Sequence, residues 1–130
     1  MMEAISVIVA AVAAYAFGAV WYMTLAQPWM RAAGVECGPD GKPVNKSVVP
    51  FILSAIAMVV VAGAMRHVFG ASVTTTGAGL TAGFRLGAFI ALPWIVINYA
   101  YSGRPATLTL IDGGYAVIGC TIIGAILGWL

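Results

Sequence analysis

Four apolar stretches, each about 20 residues long, constrain the fold of this chain more than any other feature. They run over residues 4–26, 48–65, 79–101 and 107–130. A helix needs about 20 apolar residues to cross the ~30 Å hydrocarbon core of a bilayer. Because a backbone in lipid must satisfy its own hydrogen bonds, the stretches predict helices. We therefore predict an all-α, polytopic membrane protein, with four transmembrane helices in an antiparallel bundle and a single membrane domain over residues 1–130.

Composition argues against a soluble fold. The chain is 62% hydrophobic and 8% charged, whereas soluble domains carry about a quarter charged residues. A soluble domain of 130 residues could not bury that much apolar surface in one core. The formal charge of +2 is small and scattered, so no nucleic-acid partner is expected. Glu3 stands where a signal peptide would carry positive charge, so the first stretch is predicted to be a retained span.

The connections between the stretches predict a topology. Within the polar loop 27–46, residues 28–33 are predicted to form a short interfacial helix that ends at Gly34. Positive charges concentrate on the first and third connections, at Arg31, Lys42, Lys46 and Arg104. The opposite side holds Arg66, so the first and third connections are predicted to be cytoplasmic and both termini to lie on the outer side. A belt of aromatic residues is expected at the cytoplasmic interface, formed by Trp21, Tyr22, Trp29, Tyr99 and Tyr101.

Small residues at helical spacing predict where the helices pack. Lipid tails are as apolar as leucine, so membrane helices associate through close contacts at small side chains. The third stretch carries glycine at every fourth position, and the first and fourth carry similar sites. The predicted packing residues are Gly18, Gly79, Gly83, Gly87, Gly124 and Gly128. Pro93 lies inside the third stretch and is predicted to kink that helix.

Four polar residues within the stretches form the candidate intramembrane site. Arg85 and Asp112 are charged, and a charge at membrane depth costs at least ~2.5 kcal/mol unless it faces protein or water. We expect the two to lie roughly 16 Å apart along the membrane normal, with Arg85 pointing away from the glycines. Asn98 is predicted to share the glycine face and to hydrogen-bond across a helix contact. Tyr115, one turn from Asp112, is expected to bond that carboxylate or a neighbour. A simpler alternative stays open: Arg85 extends to the outer interface, and Asp112 bonds the neighbouring hairpin near the inner one.

The remaining reactive side chains predict no cofactor, no metal site and no catalytic residues. Cys37 lies in the polar loop and Cys120 in an apolar stretch, so free thiols are expected. His67 is the single histidine of the chain, and no cysteine–histidine cluster accompanies it. We allow for a bound lipid.

Several segments together resemble a known family. They are Gly18-Ala19-Val20-Trp21-Tyr22, Pro28-Trp29-Met30, Asn98-Tyr99-Ala100-Tyr101-Ser102-Gly103-Arg104-Pro105, Leu110-Ile111-Asp112-Gly113-Gly114-Tyr115 and Ile123-Gly124-Ala125-Ile126-Leu127. In order and spacing they resemble the bacterial domain-of-unknown-function family numbered 1761, over nearly the whole chain. The resemblance implies a small multi-span protein of the bacterial inner membrane and supplies no established activity.

Three classes of function fit these observations. The first is a non-catalytic bundle that self-associates or serves as an accessory subunit of a larger membrane complex, with membrane lipids and membrane proteins as its partners. The second is a small transporter or channel for a cation or small solute that uses Asp112 and Arg85. Small multidrug exporters rely on an acid in the first helix, where this chain has only Glu3 at the edge. A membrane enzyme is least supported, because no nucleophile–base pair or phosphate-binding loop is present. Any site is expected on the last hairpin.

Overall fold

The computed structural model describes residues 2–36, 38–42 and 47–130, and these residues form helices and connections without a β-strand. The helices are α1 (Met2–Thr24), α2 (Ala26–Ala33), α3 (Val49–Phe69), α4 (Thr76–Leu86), a π-helical turn (Gly87–Ala91), α5 (Leu92–Tyr101) and α6 (Ala106–Trp129). Cys37 and Lys46, which entered the predictions of free thiols and of charge bias, lie outside the described residues.

Four helical segments are long and apolar enough to cross a membrane, which confirms the predicted all-α, multi-pass membrane fold. They are α1, α3, the continuous run from Thr76 to Tyr101, and α6. The run from Thr76 to Tyr101, which joins α4, the π turn and α5, is called the third spanning helix below. The helix containing the second apolar stretch continues to Phe69, and Gly70 follows it with a φ of +52° that favours glycine.

The short helix predicted after the first span is present as α2. It ends at Gly34, whose φ of +75° places it in the left-handed region. The backbone N–H groups of Gly34 and Val35 both donate to the carbonyl oxygen of Met30, which closes the last turn. The Arg104 guanidinium donates to the carbonyl oxygen of Ala33 at 3.0 Å. A cation therefore interacts with the negative end of α2 and ties the third connection to it.

α6 is the central helix of the bundle. One side of it packs against α1, and another packs against α4, the π turn and α5. α3 packs mainly on α1 and forms no extensive contact with the third spanning helix. The spatial order of the spanning helices is therefore α3, α1, α6 and the third spanning helix, with a cleft between α3 and the last of these. The buried core lies where α1, α3 and α6 meet, at Ala10, Ala14, Ala62, Met65, Ile123 and Leu127.

The closest helix contact joins the third spanning helix to α6 at the predicted glycines. A Cβ atom on Gly79 would overlap the carbonyl oxygen of Gly124, and one on Gly83 would overlap that of Cys120. Gly87 lies against the backbone of α6, and Gly128 lies against Gly79 and the backbone just before α4. The two helix backbones therefore touch, so the small residues serve contacts inside this chain. Gly18 differs, because it faces the ring of Tyr115 rather than a backbone.

The π turn at Gly87–Ala91 precedes Pro93, the residue predicted to disturb the third spanning helix. The N–H of Leu92 donates to the carbonyl oxygen of Gly87, five residues back instead of four. Proline has no N–H and clashes with the preceding turn of a regular helix. A π turn inserts one extra residue into the helix, so every later side chain is rotated by about 100° relative to an unbroken α-helix.

This rotation corrects the prediction for Asn98. In an unbroken helix the face of Gly79, Gly83 and Gly87 continues to Asn98, which led to the expected hydrogen bond across a helix contact. With the extra residue, the same face continues through Leu92, which contacts Gly113 of α6, to Tyr99. The Asn98 side chain lies on the exposed surface and forms no interhelical hydrogen bond with the described residues.

Candidate functional site

Asp112 is the centre of a hydrogen-bonded cluster at one end of the bundle. It lies on α6, six residues after the helix begins at Ala106, or about 9 Å along the axis. Its Oδ1 accepts from the Tyr22 hydroxyl at 2.6 Å and from the Trp29 indole N–H at 3.1 Å. Its Oδ2 accepts from the Tyr99 hydroxyl at 2.5 Å. We call Tyr22, Trp29, Tyr99 and Asp112 the Asp112 cluster.

Each member of the Asp112 cluster comes from a different helix. Tyr22 lies in the last turn of α1, Trp29 in α2, Tyr99 near the end of α5, and Asp112 in the second turn of α6. The first and third connections are thereby held at the same end of the bundle. The cluster requires the π turn, because that turn rotates Tyr99 towards α6.

Aromatic rings pack against one another beside the Asp112 cluster. The Tyr22 ring meets Trp29 edge-on at a centroid distance of 6.0 Å, and meets Tyr115 edge-on at 5.5 Å. Phe17 stacks on Tyr115 at 6.1 Å. Edge-on and offset pairs of this kind stabilise a packed aromatic group by about 0.5–1.5 kcal/mol each. The ring contacts therefore help to fix the orientation of the Tyr22 and Trp29 donors.

Two glycines make room for this aromatic packing. A Cβ atom on Gly18 would lie 2.8 Å from Cζ of Tyr115, and one on Gly114 would lie 2.9 Å from Cζ2 of Trp21. Trp21 uses the space to donate its indole N–H to the carbonyl oxygen of Ile111 at 2.9 Å. The glycines next to the cluster thus allow α1 to approach α6 with large rings in between.

The chemistry available to the Asp112 cluster follows from its donors. Both carboxylate oxygens accept from O–H or N–H groups, and within the described residues no cation pairs with Asp112. Hydrogen bonds to a carboxylate are charge-assisted and stronger than neutral ones. No group of three or more His, Cys, Asp or Glu residues in the described parts of the chain could hold a metal ion. The arrangement can bind four segments together.

The other predicted site residues do not join the cluster. The Tyr115 hydroxyl donates to the carbonyl oxygen of Ala14 at 3.2 Å and also contacts the sulfur of Met58. Tyr115 thus bonds a neighbour, one of its two expected options, and meets the cluster only through its ring contact with Tyr22. Arg85 is exposed in the cleft between α3 and the third spanning helix. No described interaction connects Arg85 with Asp112.

Sequence reasoning missed Tyr22, Trp29 and Tyr99 as site residues, because each fits an aromatic belt at a membrane interface equally well. A signal for them was nevertheless present. All three, together with Asp112, lie in the segments that carry the family resemblance, and the structure brings those segments together at one carboxylate.

Comparison with protein families bears directly on these segments. The model of a family described as proteins of unknown function, DUF1761, matches residues 5–128. The chain belongs to the DUF1761 family. The matched range contains the whole Asp112 cluster and nearly all of the four spanning helices. Comparison of this DUF1761 protein with curated proteins found no match, and comparison with solved structures found none either.

Proposed function

We propose that this DUF1761 protein is a non-catalytic membrane bundle that self-associates or serves as an accessory subunit of a larger membrane complex. The observation that carries this proposal is the position of α3 at the edge of the bundle. α3 packs mainly on α1, and large apolar side chains such as Ile52, Ile56 and Val60 are more than half exposed along one face. Ala57 and Ala64 lie on the same side of α3 and are exposed. Small residues on such a face allow another helix to approach closely.

The Asp112 cluster supports a non-catalytic role. Its hydroxyl and indole groups all donate to one carboxylate, so its polar atoms are committed to contacts between segments of the same chain. Among the described residues, no buried side-chain nitrogen or oxygen atom lacks a hydrogen-bond partner. A catalytic site usually presents an activated group towards a space that a substrate can enter. The cluster is better suited to holding the bundle and α2 in one arrangement.

Cysteine cross-linking in native membranes tests the association face. In a chain whose Cys37 and Cys120 are replaced by alanine, Ala57→Cys places a thiol on the exposed face of α3. Ala62→Cys is the matched control, because Ala62 is on the same helix and is fully buried against the core. We expect oxidation to give a covalent dimer, or a covalent complex with another membrane protein, for Ala57→Cys alone. A strictly monomeric particle in mild detergent, without a cross-linked or co-purifying partner, would contradict the proposal.

One observation favours a transporter or channel as the second candidate. Asp112 is a carboxylate inside a spanning helix and accepts hydrogen bonds from two tyrosine hydroxyls. Arg85 shares no described contact with it, so such a pathway would rest on Asp112 without Arg85. Proton-coupled uptake in proteoliposomes, compared between the parent chain and Asp112→Asn, tests this function. Absence of flux for every cation and amine tested would exclude it.

Location and orientation belong to the same proposal. We place the protein in the bacterial inner membrane, with both termini on the outer side and the Asp112 cluster near the cytoplasmic interface. The support is the excess of Lys and Arg on the first and third connections.

A further inference from the structure

A cleft of about 460 Å³ lies between the end of α3, the residues after it, and the third spanning helix. Its walls are mainly apolar and include Phe69, Val73, Leu86, Phe89 and Ile90. Arg85 is the one charged residue among the described residues that line it. The Ser72 hydroxyl, also in the lining, is engaged with the carbonyl oxygen of Phe69 at 2.5 Å. Arg85 is therefore the polar group available to recognise an occupant.

Arg85 has no counter-ion within the described part of the chain. Its side chain is exposed and forms neither a hydrogen bond nor an ion pair there. It lies nine residues after Thr76, about 14 Å along the third spanning helix. An intramembrane arginine is costly unless it is paired or its head reaches water or a headgroup. An anion from outside this chain would relieve that cost.

The size of the cleft limits what can occupy it. A helix with its side chains is about 10–12 Å wide and rises ~5.4 Å per turn, so a single turn fills roughly 500 Å³. A helix of another protein laid along the open side of the cleft would therefore place only about one turn's volume inside it. An acyl chain is thinner and can lie along the apolar walls for their whole length. A volume of about 460 Å³ also falls within the range of small-molecule sites, about 300–1,000 Å³.

We propose that this cleft binds a membrane phospholipid. The Arg85 guanidinium holds the phosphate, and one acyl chain lies against Phe69, Leu86 and Phe89. A guanidinium matches phosphate geometry because its planar fork donates two parallel hydrogen bonds. The apolar walls exclude water from the rest of the contact. This site is independent of self-association through α3, and a monomer would bind the lipid equally well.

Lipid retention during purification tests the site. The parent chain, Arg85→Gln and Arg85→Lys are purified in mild detergent, incubated with micelles containing phosphatidylglycerol, and examined by native mass spectrometry. Arg31→Gln is the matched control, because Arg31 is an exposed cation on α2, at the other end of the bundle. We expect about one retained phospholipid per chain, with the affinity reduced about tenfold or more in Arg85→Gln, since hydrogen bonds to charged groups contribute about 1.5–3 kcal/mol. The lipid affinity of Arg85→Lys should fall between those of the parent chain and Arg85→Gln. The lipid affinity of Arg31→Gln should equal that of the parent chain.

Two outcomes would overturn the proposal. One is equal retention by the parent chain and Arg85→Gln, which would mean that Arg85 recognises no phosphate. The other is loss of a co-purifying protein, with no change in lipid, when Arg85 is replaced. Unchanged thermal midpoints are expected, because Arg85 forms no hydrogen bond or ion pair with the described residues, and they would show that the variants are folded. Cross-linking through α3 is measured separately, so failure of either proposal can be recognised without reference to the other.

Discussion

Asp112 shows how one acidic side chain can be accommodated in an apolar helix without a cation from the described parts of the chain. Three donors on other helices replace the water that the carboxylate would lose on entering the membrane. Interhelical hydrogen bonds in membranes contribute about 0.6 kcal/mol on average, with larger values at favourable sites. Bonds to a charged acceptor are expected at the upper end of that range. Each hydrogen bond to Asp112 therefore stabilises the bundle modestly, and together the three bonds join four helices.

Removal of a single donor tests the contribution of Tyr99. Tyr99→Phe keeps the ring and deletes the hydroxyl that bonds Asp112, so the thermal midpoint in detergent should fall, by the equivalent of about 1–2 kcal/mol. Tyr101→Phe is the control, because Tyr101 lies two residues away on the same helix and is 90% exposed. Its midpoint should equal that of the parent chain. Equal effects of the two substitutions would show that the Tyr99 bond adds no stability.

Replacement of the acceptor should be more damaging than replacement of one donor. Asp112→Ala leaves the Tyr22 hydroxyl, the Trp29 indole and the Tyr99 hydroxyl without their acceptor, which should cost about 2–3 kcal/mol. Asp112→Asn keeps one acceptor oxygen and should cost less. Hydrogen exchange of residues 26–33 should increase in Asp112→Ala, because Trp29 then loses the bond that holds α2. Unchanged exchange of α2 would be inconsistent with the cluster as its anchor.

At this scale the sequence predicted which residues were unusual better than it predicted their partners. Arg85 and Asp112 were recognisable as charges within apolar stretches, and the orientation of Arg85 away from the glycines follows from helical spacing alone. The partners of Asp112 depend on which helices meet, and that information is tertiary. Tyr22 and Trp29 are more than 80 residues away from Asp112 along the chain.

Among the helices, the contact between the third spanning helix and α6 depends most on local sequence. Glycine spacing indicated both faces of this contact before the structure showed their backbones touching. The π turn could not be predicted in the same way. Pro93 indicated an irregularity, but a kink and a π turn are both compatible with proline, and only the π turn changes which later residues face α6.

A pair of glycine substitutions within α4 tests this contact. Gly83→Ala introduces a Cβ atom that overlaps the carbonyl oxygen of Cys120, so the helices must separate and the thermal midpoint should fall. Gly77→Ala is the control, because a Cβ atom there meets no atom within 4 Å. Alanine favours a helix by up to about 1 kcal/mol over glycine, so Gly77→Ala should be neutral or slightly stabilising. Similar destabilisation by both would argue against a backbone contact at Gly83.

For the whole molecule, two sequential hairpins, α1 with α3 and the third spanning helix with α6, meet through α1 and α6. Any site was expected on the last hairpin. The structure places half of the Asp112 cluster on that hairpin and half on α1 and α2. Apolar periodicity indicates the number of spanning helices but not their neighbours, so the central position of α6 could not be read from the sequence. The edge position of α3 follows from that arrangement.

Reporter fusions in a bacterial host test the predicted orientation. Alkaline phosphatase, which is active only outside the cytoplasm, should be active when fused after Leu130 and inactive when fused after Asp40. A fluorescent protein that folds only in the cytoplasm should give the reverse pattern at the two sites. The physical reason is the excess of Lys and Arg on the first and third connections. The opposite activities at both sites would place the Asp112 cluster near the outer interface instead.

The π turn has a consequence for aligning members of DUF1761. It acts as a one-residue insertion between two stretches of regular helix. The helical faces formed by residues after Ala91 are therefore shifted by one residue relative to those formed before Gly87. A relative without the extra residue would need its tyrosine one place closer to the glycine equivalent to Gly87 in order to reach the same carboxylate. An alignment that forbids a gap there would pair that tyrosine with Asn98 of this chain. Allowing a single gap in this turn would keep equivalent side chains in the same column.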